Sequence, residues 1–578
     1  MRLQSGPRRE DARPGVWSMW DLAAVLLVLG VLVLLAQASR GLMQPLPEAG
    51  FGGITLDPSA LPDYAARTSL RMLAAMVLSL VFTFTYATWA AKSRRAEQVL
   101  IPLLDILQSV PILGFISVTV VFFMSLAPGK MLGAELAAVF AIFTSQAWNM
   151  AFSFYQSLRT VPKELSEASR SFRLNPWMRF WKLEAPFAMP ALVWNMMMSM
   201  SGGWFFVVAS EAISVGDTTV ALPGIGSYIA LAIAERDLSA IGWAIGTMLI
   251  VILIYDQLLF RPLVAWADRF RFEQESSTGP ARSWVLSVLR RSRIVSVAVA
   301  PLAAAWHWTY QVAPSVKETA RPEAETALTG RGWLDHLWTA TIVAACIYVS
   351  WEIGIFVLAG VTPSEAGTTV LLGVATMVRV TVLIALASII WVPIGVWIGL
   401  RPGAVRIAQP IVQFLAAFPA NLLFPLAVSA IVVLQLNPDI WLSPLMILGT
   451  QWYILFNVIA GASTIPSELR DIGANLGVRG WLWWRRIALP AVFPFYMTGA
   501  ITASGGSWNA SIVAEIASWG DTTLRAHGLG AYITDATDAG DFPRIVLGIA
   551  VMSAFVVIIN RVFWRPLYAY AERKFRLG

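Results

Sequence analysis

The sequence has few charged residues and almost no cysteine. Only 13% of its 578 residues are charged and 57% are hydrophobic, whereas about 25% of the residues in an ordinary soluble domain are charged. The single cysteine, Cys346, lies inside an apolar run, which excludes a disulfide framework or a cysteine-ligated metal site within one chain. Together with a mean hydropathy of +0.65, this composition indicates an integral membrane protein.

The sequence also lacks the residue patterns of an enzyme active site. Its three histidines, His307, His336 and His527, are scattered, and no group of histidines or carboxylates has the spacing of a zinc site. The stretch PGKML at Pro128 lacks the upstream glycine and the Ser or Thr of a phosphate-binding loop. We therefore predict no catalytic residue, no metal site and no cofactor bound by this chain.

Long apolar runs predict helices that cross a membrane. Crossing a hydrocarbon core of roughly 30 Å takes about 20 helical residues, and the runs lack the alternation of barrel strands. We predict an all-α membrane protein with about twelve spans, at residues 18–38, 68–91, 101–125, 132–155, 187–212, 240–262, 337–360, 369–400, 409–434, 440–461, 491–516 and 544–566. A cleaved signal peptide remains an alternative for the first span, because Ala36 and Ala38 form a small-x-small pattern at its end.

The second half of the chain repeats the first. VPKEL at Val161 matches IPSEL at Ile465, an offset of 465 − 161 = 304. Further matched pairs are Pro186 with Pro490, Trp204 with Trp508, Glu211 with Glu515, Gly216 with Gly520 and, at an offset of 308, Arg71 with Arg379. Because each half has six predicted spans, the halves enter the membrane in the same orientation, as a parallel repeat. The predicted domains are 1–262, a cytoplasmic linker at 263–335, and 336–578.

Lys and Arg placement predicts the orientation. The loop 158–186 holds six of these residues and its counterpart 462–490 holds four, whereas 214–239 and 518–543 hold one each. By the positive-inside rule the first two loops are cytoplasmic, and so are both termini. The net charge of +7 therefore reflects topology, and we predict contact with lipid and none with nucleic acid. The apolar linker stretch 293–308 is short for a span and predicts an interfacial or packed helix.

A charged segment follows the fourth span of each half. It reads EASRSFRLNPWMRFWKLEAP from Glu167 and DIGANLGVRGWLWWRRIALP from Asp471. Each copy resembles the EAA loop of the permease subunits of ABC importers, whose pattern is E-A-A, three residues, Gly, nine residues, I-x-L-P. Glu167 and Ala168 keep the start of the motif and Gly477 keeps its glycine, whereas Arg173 stands at the glycine position of the first copy.

This resemblance implies the type I ABC importer permease fold and a set of partners. Two cytoplasmic ATPase subunits, which bind ATP and magnesium, dock on the loops, and an extracytoplasmic solute-binding protein delivers a small molecule to a pathway in the bacterial inner membrane. The residues implied in coupling are Glu164, Glu167, Ala168, Arg173, Glu468, Asp471, Gly473 and Gly477. The glycine of the motif permits a positive φ at the end of the helix. A solvated loop that only sets topology is the alternative.

The fifth-span stretches SGGWFFVVASEAI and GGSWNASIVAEIA, each followed by GDTT, are similar to the nitrate, sulfonate, taurine and bicarbonate permeases. The resemblance implies transport of a small inorganic or organic anion. A non-anionic solute is one alternative, and a secondary transporter driven by an ion gradient is another. The latter class ordinarily shows ionisable residues in mid-span, which are sparse in this sequence.

Several residues are candidates for the substrate pathway. Arg71 and Arg379, near the predicted outer ends of their spans, can attract an anion or extend to the membrane interface. Glu211 and Glu515 would repel an anion, which weakens the hypothesis that the two arginines attract one. Each glutamate can instead pair with an arginine or cap a helix. Small and polar positions of the fifth spans complete the candidates, namely Ser201, Trp204, Ser507, Trp508 and Asn509, although small residues also permit close helix packing.

Overall fold

The computed structural model of the protein describes residues 19–39, 51–109, 112–172, 174–215, 218–270, 283–312 and 332–575. Nearly all of them are helical. Eight helices in these ranges are long and apolar enough to cross a membrane: Pro58–Lys92, Met131–Arg159, Pro176–Glu211, Leu238–Phe270, Ala340–Gly360, Pro363–Gly399, Gly480–Ala514 and Phe542–Ala571.

Two further pairs of helices are long and apolar enough to cross a membrane only when each pair is taken as one bent span. Pro402–Ala417 and Ala420–Val433 meet at 77°, and Pro438–Leu448 and Gln451–Ser463 meet at 44°. The described residues therefore contain eight to ten candidate spans. The all-helical membrane class is confirmed, but the predicted count of twelve is not.

Two of the predicted spans are not among these candidates. The first falls on the helix Met19–Ser39 and the third on two helices, Arg94–Ser109 and Ile112–Leu126. The counterpart of the third span in the second half is the pair of helices bent by 77°. Adding 308 to the first residues of the two first-half helices, Arg94 and Ile112, gives 402 and 420, which are the first residues of the bent pair. The equivalent stretches thus consist of two helices in both halves.

The sequence repeat is also a repeat of secondary structure. Adding 304 to the bounds of the short helix Lys163–Ser171 gives 467–475, which are the bounds of Ser467–Asn475. Adding 304 to the bounds of Ile225–Ala234 likewise gives the bounds of Leu529–Asp538. The domain boundaries drawn from the sequence, including the linker, stay predictions, since much of residues 263–335 lies outside the described ranges.

Each half also contains one short antiparallel hairpin, which the sequence analysis does not predict. Ala212–Val215 pairs with Thr218–Ala221, and Ile516–Trp519 pairs with Thr522–Arg525. In the second hairpin, Gly520 and Asp521 form the two-residue turn between Trp519 and Thr522, and Gly520 has φ +59°. Glycine is favoured in such turns because they require positive φ. The GDTT motif is therefore a hairpin turn in the second half.

Local signals explain where several long helices begin. Thr362 accepts a hydrogen bond from the amide of Glu365, and Pro363 occupies the first helical position of Pro363–Gly399, which is a strong combination for a helix start. Asp237 accepts from the amides of Ser239 and Ala240 at 2.8 and 3.0 Å, just before the helix that begins at Leu238. The hydrogen bonds from Ser239 and Ala240 lower the pKa of Asp237 below its ordinary value.

The fifth span of each half begins earlier than predicted. We place its start next to Pro186 and Pro490, but the helices begin at Pro176 and Gly480. A turn of π-helix, Phe180–Glu184 or Trp484–Ala488, precedes each proline. Because proline lacks an amide hydrogen and its ring clashes with the preceding turn of an α-helix, a widened π turn lets the helix pass through it.

The chain divides into two compact units. The first comprises Met1–Gln37, Val161–Val193 and Tyr255–Thr319, and the second Ala38–Thr160, Trp194–Ile254 and Ala320–Gly578. In the first unit, Asp21 caps the helix Arg293–Val312 by accepting from the amide of Arg293 at 2.7 Å. In the second unit, a large apolar core contains residues such as Val380, Ile384, Val458, Trp508 and Ile533.

Candidate functional site

A cavity of about 340 Å³ lies within the second unit. Both halves of the repeat line it, and its described lining contains no Asp, Glu, Lys, Arg or His. Its polar groups are hydroxyls and amides, while aromatic rings form much of the rest. The amide residues are Gln108, Asn149, Asn195, Asn457 and Asn509, and the aromatic residues are Trp148, Trp194, Phe205, Phe206, Phe418 and Tyr453.

Hydrogen bonds orient all five amides, and Nδ2 of Asn195 and of Asn457 donate to the Ser153 hydroxyl and the Tyr453 carbonyl at 2.8 Å each. Gln108 donates through Nε2 to Oδ1 of Asn149 at 2.7 Å. The amide of Ile112 donates to Oδ1 of Asn509 at 2.8 Å, and Nδ2 of Asn509 donates to the carbonyl of Gly505 at 3.2 Å. The carbonyl oxygens of Asn149 and Asn509 thus each accept one bond within the protein. Because an amide oxygen accepts two bonds and an NH₂ group carries two donors, both ends of each side chain retain hydrogen-bonding capacity.

A second group of lining residues surrounds Ser201. Its hydroxyl donates to the carbonyl of Ala416 and lies 3.4 Å from the hydroxyl of Tyr453. Nearby, the ring of Trp194 stacks on Phe456 with centroids 5.0 Å apart. A small side pocket is lined by Trp194, Ser201, Ala416, Tyr453 and Phe456 together with Met197, Met198 and Gln413. This region of the cavity is therefore mainly aromatic.

The structure brings only some of the predicted pathway residues to the cavity. Ser201 and Asn509 line it. Trp204, Ser507 and Trp508 are buried and do not line it, although Ser507 shares a 2.9 Å hydrogen bond with the lining residue Thr450. Arg71 and Arg379 do not line it either. The predicted role of all seven residues in transport stays a prediction.

Arg71 lies in a buried network that we call the first ion cluster, with Thr68, Glu135 and Glu211. Its side chain is 3% exposed, so it does not extend to the membrane interface. The guanidinium contacts Glu135 at 2.6 and 2.7 Å and Glu211 at 2.6 Å. Thr68 donates to Glu211 at 2.7 Å. One arginine faces two carboxylates, so the cluster presents no surplus positive charge to an anion.

Glu211 joins this cluster to the short helix Ile225–Ala234. Its Oε2 accepts from the amide of Gly226 at 2.6 Å, and the Thr68 hydroxyl accepts from the amide of Ile225 at 3.1 Å. A carboxylate at the amino end of a helix satisfies free amides and interacts favourably with the helix dipole. The alternatives of arginine pairing and helix capping thus both apply to Glu211.

The second ion cluster repeats this arrangement with Thr376, Arg379, Asp439 and Glu515. Arg379 contacts Glu515 and Asp439 at 3.1 Å each, and Thr376 donates to Glu515 at 2.7 Å. The amides of Leu529 and Gly530 donate to Thr376 and Glu515. Asp439 corresponds to Glu135, since 135 + 304 = 439. Arg379 is 15% exposed, and Asp439 also accepts from the amide of His527 at 2.7 Å.

The predicted coupling residues lie on a matched pair of short helices. Glu164, Glu167 and Ala168 are exposed on Lys163–Ser171, and Glu468 and Asp471 are exposed on Ser467–Asn475. Gly473 is buried, where an added Cβ would lie 2.6 Å from the Ile487 side chain. Arg173 lies outside the described residues.

Gly477 follows Ser467–Asn475, the second of these two predicted coupling helices, and has φ +68°, as the sequence predicts. Around it, the amide of Leu476 donates to the carbonyl of Ile472 at 2.9 Å, and that of Val478 to Gly473 at 2.8 Å. The first copy makes the equivalent bonds, Phe172 to Ala168 at 3.0 Å and Leu174 to Ser169 at 3.1 Å. Both helices therefore end with the same hydrogen-bond pattern.

Comparison with known families identifies the fold. A family model described as "Binding-protein-dependent transport system inner membrane component" matches residues 82–266 and again residues 391–577. The chain belongs to this family. Its two matches coincide with the two halves of the repeat, so the resemblance to permeases with two fused halves is confirmed. A member of this family is a multi-pass inner-membrane transport permease, which agrees with the apolar helices described above.

Individual relatives match about one third of the chain. A bicarbonate transport system permease protein of Synechococcus elongatus is 28% identical over 192 residues, 33% of this chain and 66% of the relative. A nitrate import permease protein of Synechocystis is 25% identical over 202 residues, 35% and 70% respectively. A glycine betaine/carnitine transport permease protein of Listeria monocytogenes is 26% identical over 194 residues, 33% and 63%. The chain thus spans slightly less than two thirds of the length of the bicarbonate permease.

Several residues of the site are missed by the sequence analysis. Gln108 and Asn149 are polar side chains inside apolar runs, and such residues mark functional positions in membrane proteins. Glu135 and Asp439 are acidic residues matched at the offset of 304. Both signals are present in the sequence, but only the folded chain shows which residues meet.

Proposed function

We propose that this chain forms the whole membrane pathway of an ATP-driven ABC importer for a small anion. The observation that carries the proposal is the uncharged polar cavity, which equivalent helices of the two halves line together. A permeation route needs polar groups that replace water around the solute, but a strong fixed charge would hold the solute too tightly for release. Membership in a family of binding-protein-dependent components supports the importer class.

The coupling helices supply the contact with the ATPase in this proposal. Exposed carboxylates on Lys163–Ser171 and Ser467–Asn475 dock on two cytoplasmic ATPase subunits, which bind ATP and magnesium. Because each helix is followed directly by the helix of a fifth span, Pro176–Glu211 or Gly480–Ala514, motion of the docked subunit reaches cavity residues such as Ser201 and Asn509. A solute-binding protein docks on the opposite face of the membrane.

The anionic class rests on the relatives named for bicarbonate and nitrate and on the amide donors of the cavity. A second candidate is a betaine, because permeases named for glycine betaine also match and aromatic rings bind quaternary ammonium groups. Uptake of radiolabelled anions and of glycine betaine by the same preparation separates the two.

The proposed orientation places both termini and the charged loops in the cytoplasm, as the Lys and Arg counts indicate. A reporter fused after residue 578 that is active only in the cytoplasm should therefore be active. Activity of a periplasm-specific reporter at the same position would contradict this orientation.

Reconstitution tests the function itself. The chain is co-purified with its cognate ATPase subunits and binding protein, and uptake into vesicles is measured with ATP. We expect uptake to require ATP and to stop when the catalytic carboxylate of the ATPase is replaced. Uptake that instead follows a proton or sodium gradient without ATP would show a secondary transporter.

A further inference from the structure

The linker helix Arg293–Val312 begins beside the start of another helix of the first unit. Its first amide, that of Arg293, donates to Oδ1 of Asp21 at 2.7 Å, and the Ser292 hydroxyl donates to the same oxygen at 2.9 Å. Asp21 is the third residue of Met19–Ser39, the helix that contains the first predicted span. The linker helix therefore begins level with the cytoplasmic start of that span.

The other end of the linker helix lies on the first charged loop. Trp177 donates to the Thr309 hydroxyl at 3.0 Å, and Asn175 donates to the Tyr310 carbonyl at 3.1 Å. Lys and Arg placement puts this loop in the cytoplasm as well. With 20 residues, the helix is about 30 Å long, enough to cross a membrane, but both of its ends are tied to the same side. It therefore lies along the cytoplasmic surface.

Between these two ends the linker helix is almost entirely apolar, and it is exposed. Val297, Leu302 and Trp308 are 71, 70 and 62% exposed, and every residue of 296–308 is exposed. A helix whose apolar residues face in all directions is stable only where an apolar medium surrounds it. The membrane surface, which the helix reaches at Asp21, supplies that medium.

A basic cluster with an aromatic neighbour precedes the exposed stretch. Arg290, Arg291 and Arg293 are exposed, and the guanidinium of Arg291 lies 4.9 Å from the centre of the Trp20 ring. The sequence 283–312 contains no Asp or Glu. At a membrane surface, tryptophan is favoured at the level of the headgroups, and arginines are attracted to anionic lipid. The start of the linker helix thus has the chemistry of an anionic-lipid site.

We propose that the linker helix and the arginines at its start form a binding surface for anionic phospholipids of the cytoplasmic leaflet. Arg290, Arg291 and Arg293 bind lipid phosphates, for which the guanidinium fork is well suited. The buried carboxylate of Asp21 stays bonded to the start of the helix. The stretch 296–308 lies at the boundary between headgroups and acyl chains, as interfacial helices do. The inference goes beyond the proposed function and rests on its orientation, with the linker in the cytoplasm.

The lipid surface adjoins the first charged loop, where the rings of Trp181 and Trp306 lie 4.9 Å apart. Lipid that holds the linker helix in place therefore restricts the loop as well, because the ordering of one side of the contact lowers the entropy cost of ordering the other. The equivalent segment of the second half, 478–486, belongs to the other unit and serves as the comparison. Anionic lipid should order the first loop and leave 478–486 unchanged.

Hydrogen–deuterium exchange of the full-length protein in lipid nanodiscs tests the proposal. One preparation contains phosphatidylcholine alone, and the other contains an equal mixture with phosphatidylglycerol. We expect the amides of 294–302 to exchange about five-fold more slowly with the anionic lipid, since one arginine at an anionic surface contributes about this factor. Exchange at 174–182 should also slow, whereas exchange at 478–486 should not change.

Charge variants show whether the arginines carry the effect. The triple variant Arg290→Gln, Arg291→Gln, Arg293→Gln should abolish the difference between the two lipids. The corresponding triple change to Lys should keep most of it, because a point charge suffices for attraction to an anionic surface. Arg573→Gln with Lys574→Gln is the matched control, since both residues are exposed and lie in the predicted cytoplasmic tail. This control should keep the whole difference.

A spin label reports the depth of the linker helix. Val297→Cys is labelled with a nitroxide in the background Cys346→Ser, so that the introduced cysteine is the only one in the chain. With phosphatidylglycerol present, we expect the label to collide more often with oxygen, which concentrates among the acyl chains, than with a water-soluble nickel chelate. The reverse order would place the helix in water and overturn the inference.

Three further results would also overturn it. Equal exchange at 294–302 in the two lipids would mean that anionic headgroups do not bind there. Slower exchange caused by added ATPase rather than by anionic lipid would make this surface a protein interface. Equal loss of the lipid effect in the Gln and Lys variants would give the arginines a structural role.

ATP-dependent uptake by the reconstituted complex is measured in both lipids and keeps the two proposals separate. If uptake is present and lipid has no effect on exchange, only this inference fails. If the lipid effect is present and no solute is taken up with ATP, only the proposed function fails.

Discussion

The carboxylate of Glu515 occupies the space where a side chain on Gly528 would begin. An added Cβ on Gly528 would lie 2.2 Å from the carboxyl carbon. Glu211 and Gly224 repeat the relationship in the first half at 2.4 Å. The absence of a side chain at these glycines lets each buried carboxylate reach the first amides of the following helix. Gly224 and Gly528, the first glycines after each GDTT stretch, are therefore required for the geometry of the two ion clusters.

Gly528→Ala and Gly224→Ala should each destabilise the protein. The new methyl group displaces a carboxylate that bonds an arginine, a threonine and backbone amides, and overpacking alone costs about 1–3 kcal/mol. The measurement is the thermal unfolding midpoint of the purified protein. Gly242→Ala is the control, because an added Cβ there meets nothing within 4 Å and alanine favours a helix. Equal midpoints for Gly242→Ala and Gly528→Ala would disprove the steric explanation.

The two ion clusters should differ in their sensitivity to loss of the arginine. Arg71→Gln leaves the buried Glu211 carboxylate and the part-buried Glu135 carboxylate without their arginine, and removal of one partner of a buried ion pair costs about 3–5 kcal/mol. Arg379→Gln should cost less, because Arg379 is 15% exposed against 3% for Arg71 and its contacts are longer, 3.1 against 2.6 Å. The amount of folded protein in the membrane and its unfolding midpoint measure both effects.

A double-mutant cycle tests whether the charges are coupled. Glu211→Gln combined with Arg71→Gln should recover part of the stability that Arg71→Gln loses, because the second change removes a carboxylate that lacks its partner. Simple addition of the two losses would mean that Arg71 and Glu211 contribute independently, against the contact that the structure shows.

Most of the spans are predictable from sequence because each depends on a local apolar run, and the repeat is visible when the two halves are compared directly. An apolar run such as 369–400 identifies a helix by itself, and the glycine at the end of Ser467–Asn475, Gly477, follows from a known motif. The cavity is different, since Ile112 and Asn509 are 397 residues apart in the chain. No periodicity indicates that they meet. The same holds for Glu135, whose importance depends on its contact with Arg71.

Turn geometry also separates what sequence predicts from what it misses. The positive φ at Gly477 is predictable because the EAA-like motif has a glycine at the end of its helix. The hairpin at Gly520 is not predicted, because the GDTT stretch indicates a family resemblance and no particular turn. The predicted start of the fifth span lies at the proline because the residue before a proline disfavours the α-helical conformation. The π turn that accommodates Pro186 leaves no mark in the hydrophobic pattern.

At the end of the proposed coupling helix Ser467–Asn475, Gly477 supplies a backbone conformation rather than a close contact. An added Cβ there meets nothing within 4 Å, but φ +68° costs a residue with a side chain roughly 1–2 kcal/mol. Gly477→Val should therefore distort the helix end and weaken ATPase association, whereas Gly477→Asn, which tolerates this region, should be close to the parent. Co-purified ATPase per permease is the measurement. Equal loss in both variants would indicate a requirement for the glycine itself.

The linker helix Arg293–Val312 packs on the first charged loop. Trp177 donates to the Thr309 hydroxyl at 3.0 Å, Asn175 donates to the Tyr310 carbonyl at 3.1 Å, and the rings of Trp181 and Trp306 lie 4.9 Å apart. Trp177 is 38% exposed, whereas its second-half counterpart Trp481 is 74% exposed (177 + 304 = 481). The linker helix therefore covers part of the first loop.

Trp306→Ala removes the ring that joins these contacts, so the backbone of 174–182 should exchange amide hydrogens faster, as regions with fewer buried apolar contacts do. Exchange at 478–486, the equivalent segment of the second half, should not change and serves as an internal control. Asp21→Ala should have a smaller effect of the same kind, because Asp21 acts on the start of the linker helix rather than on the loop, and a helix cap is worth about 1 kcal/mol. Unchanged exchange at 174–182 in Trp306→Ala would show that the loop keeps its structure without the linker. Faster exchange in both segments would point instead to a general loss of stability, which the unfolding midpoint would reveal.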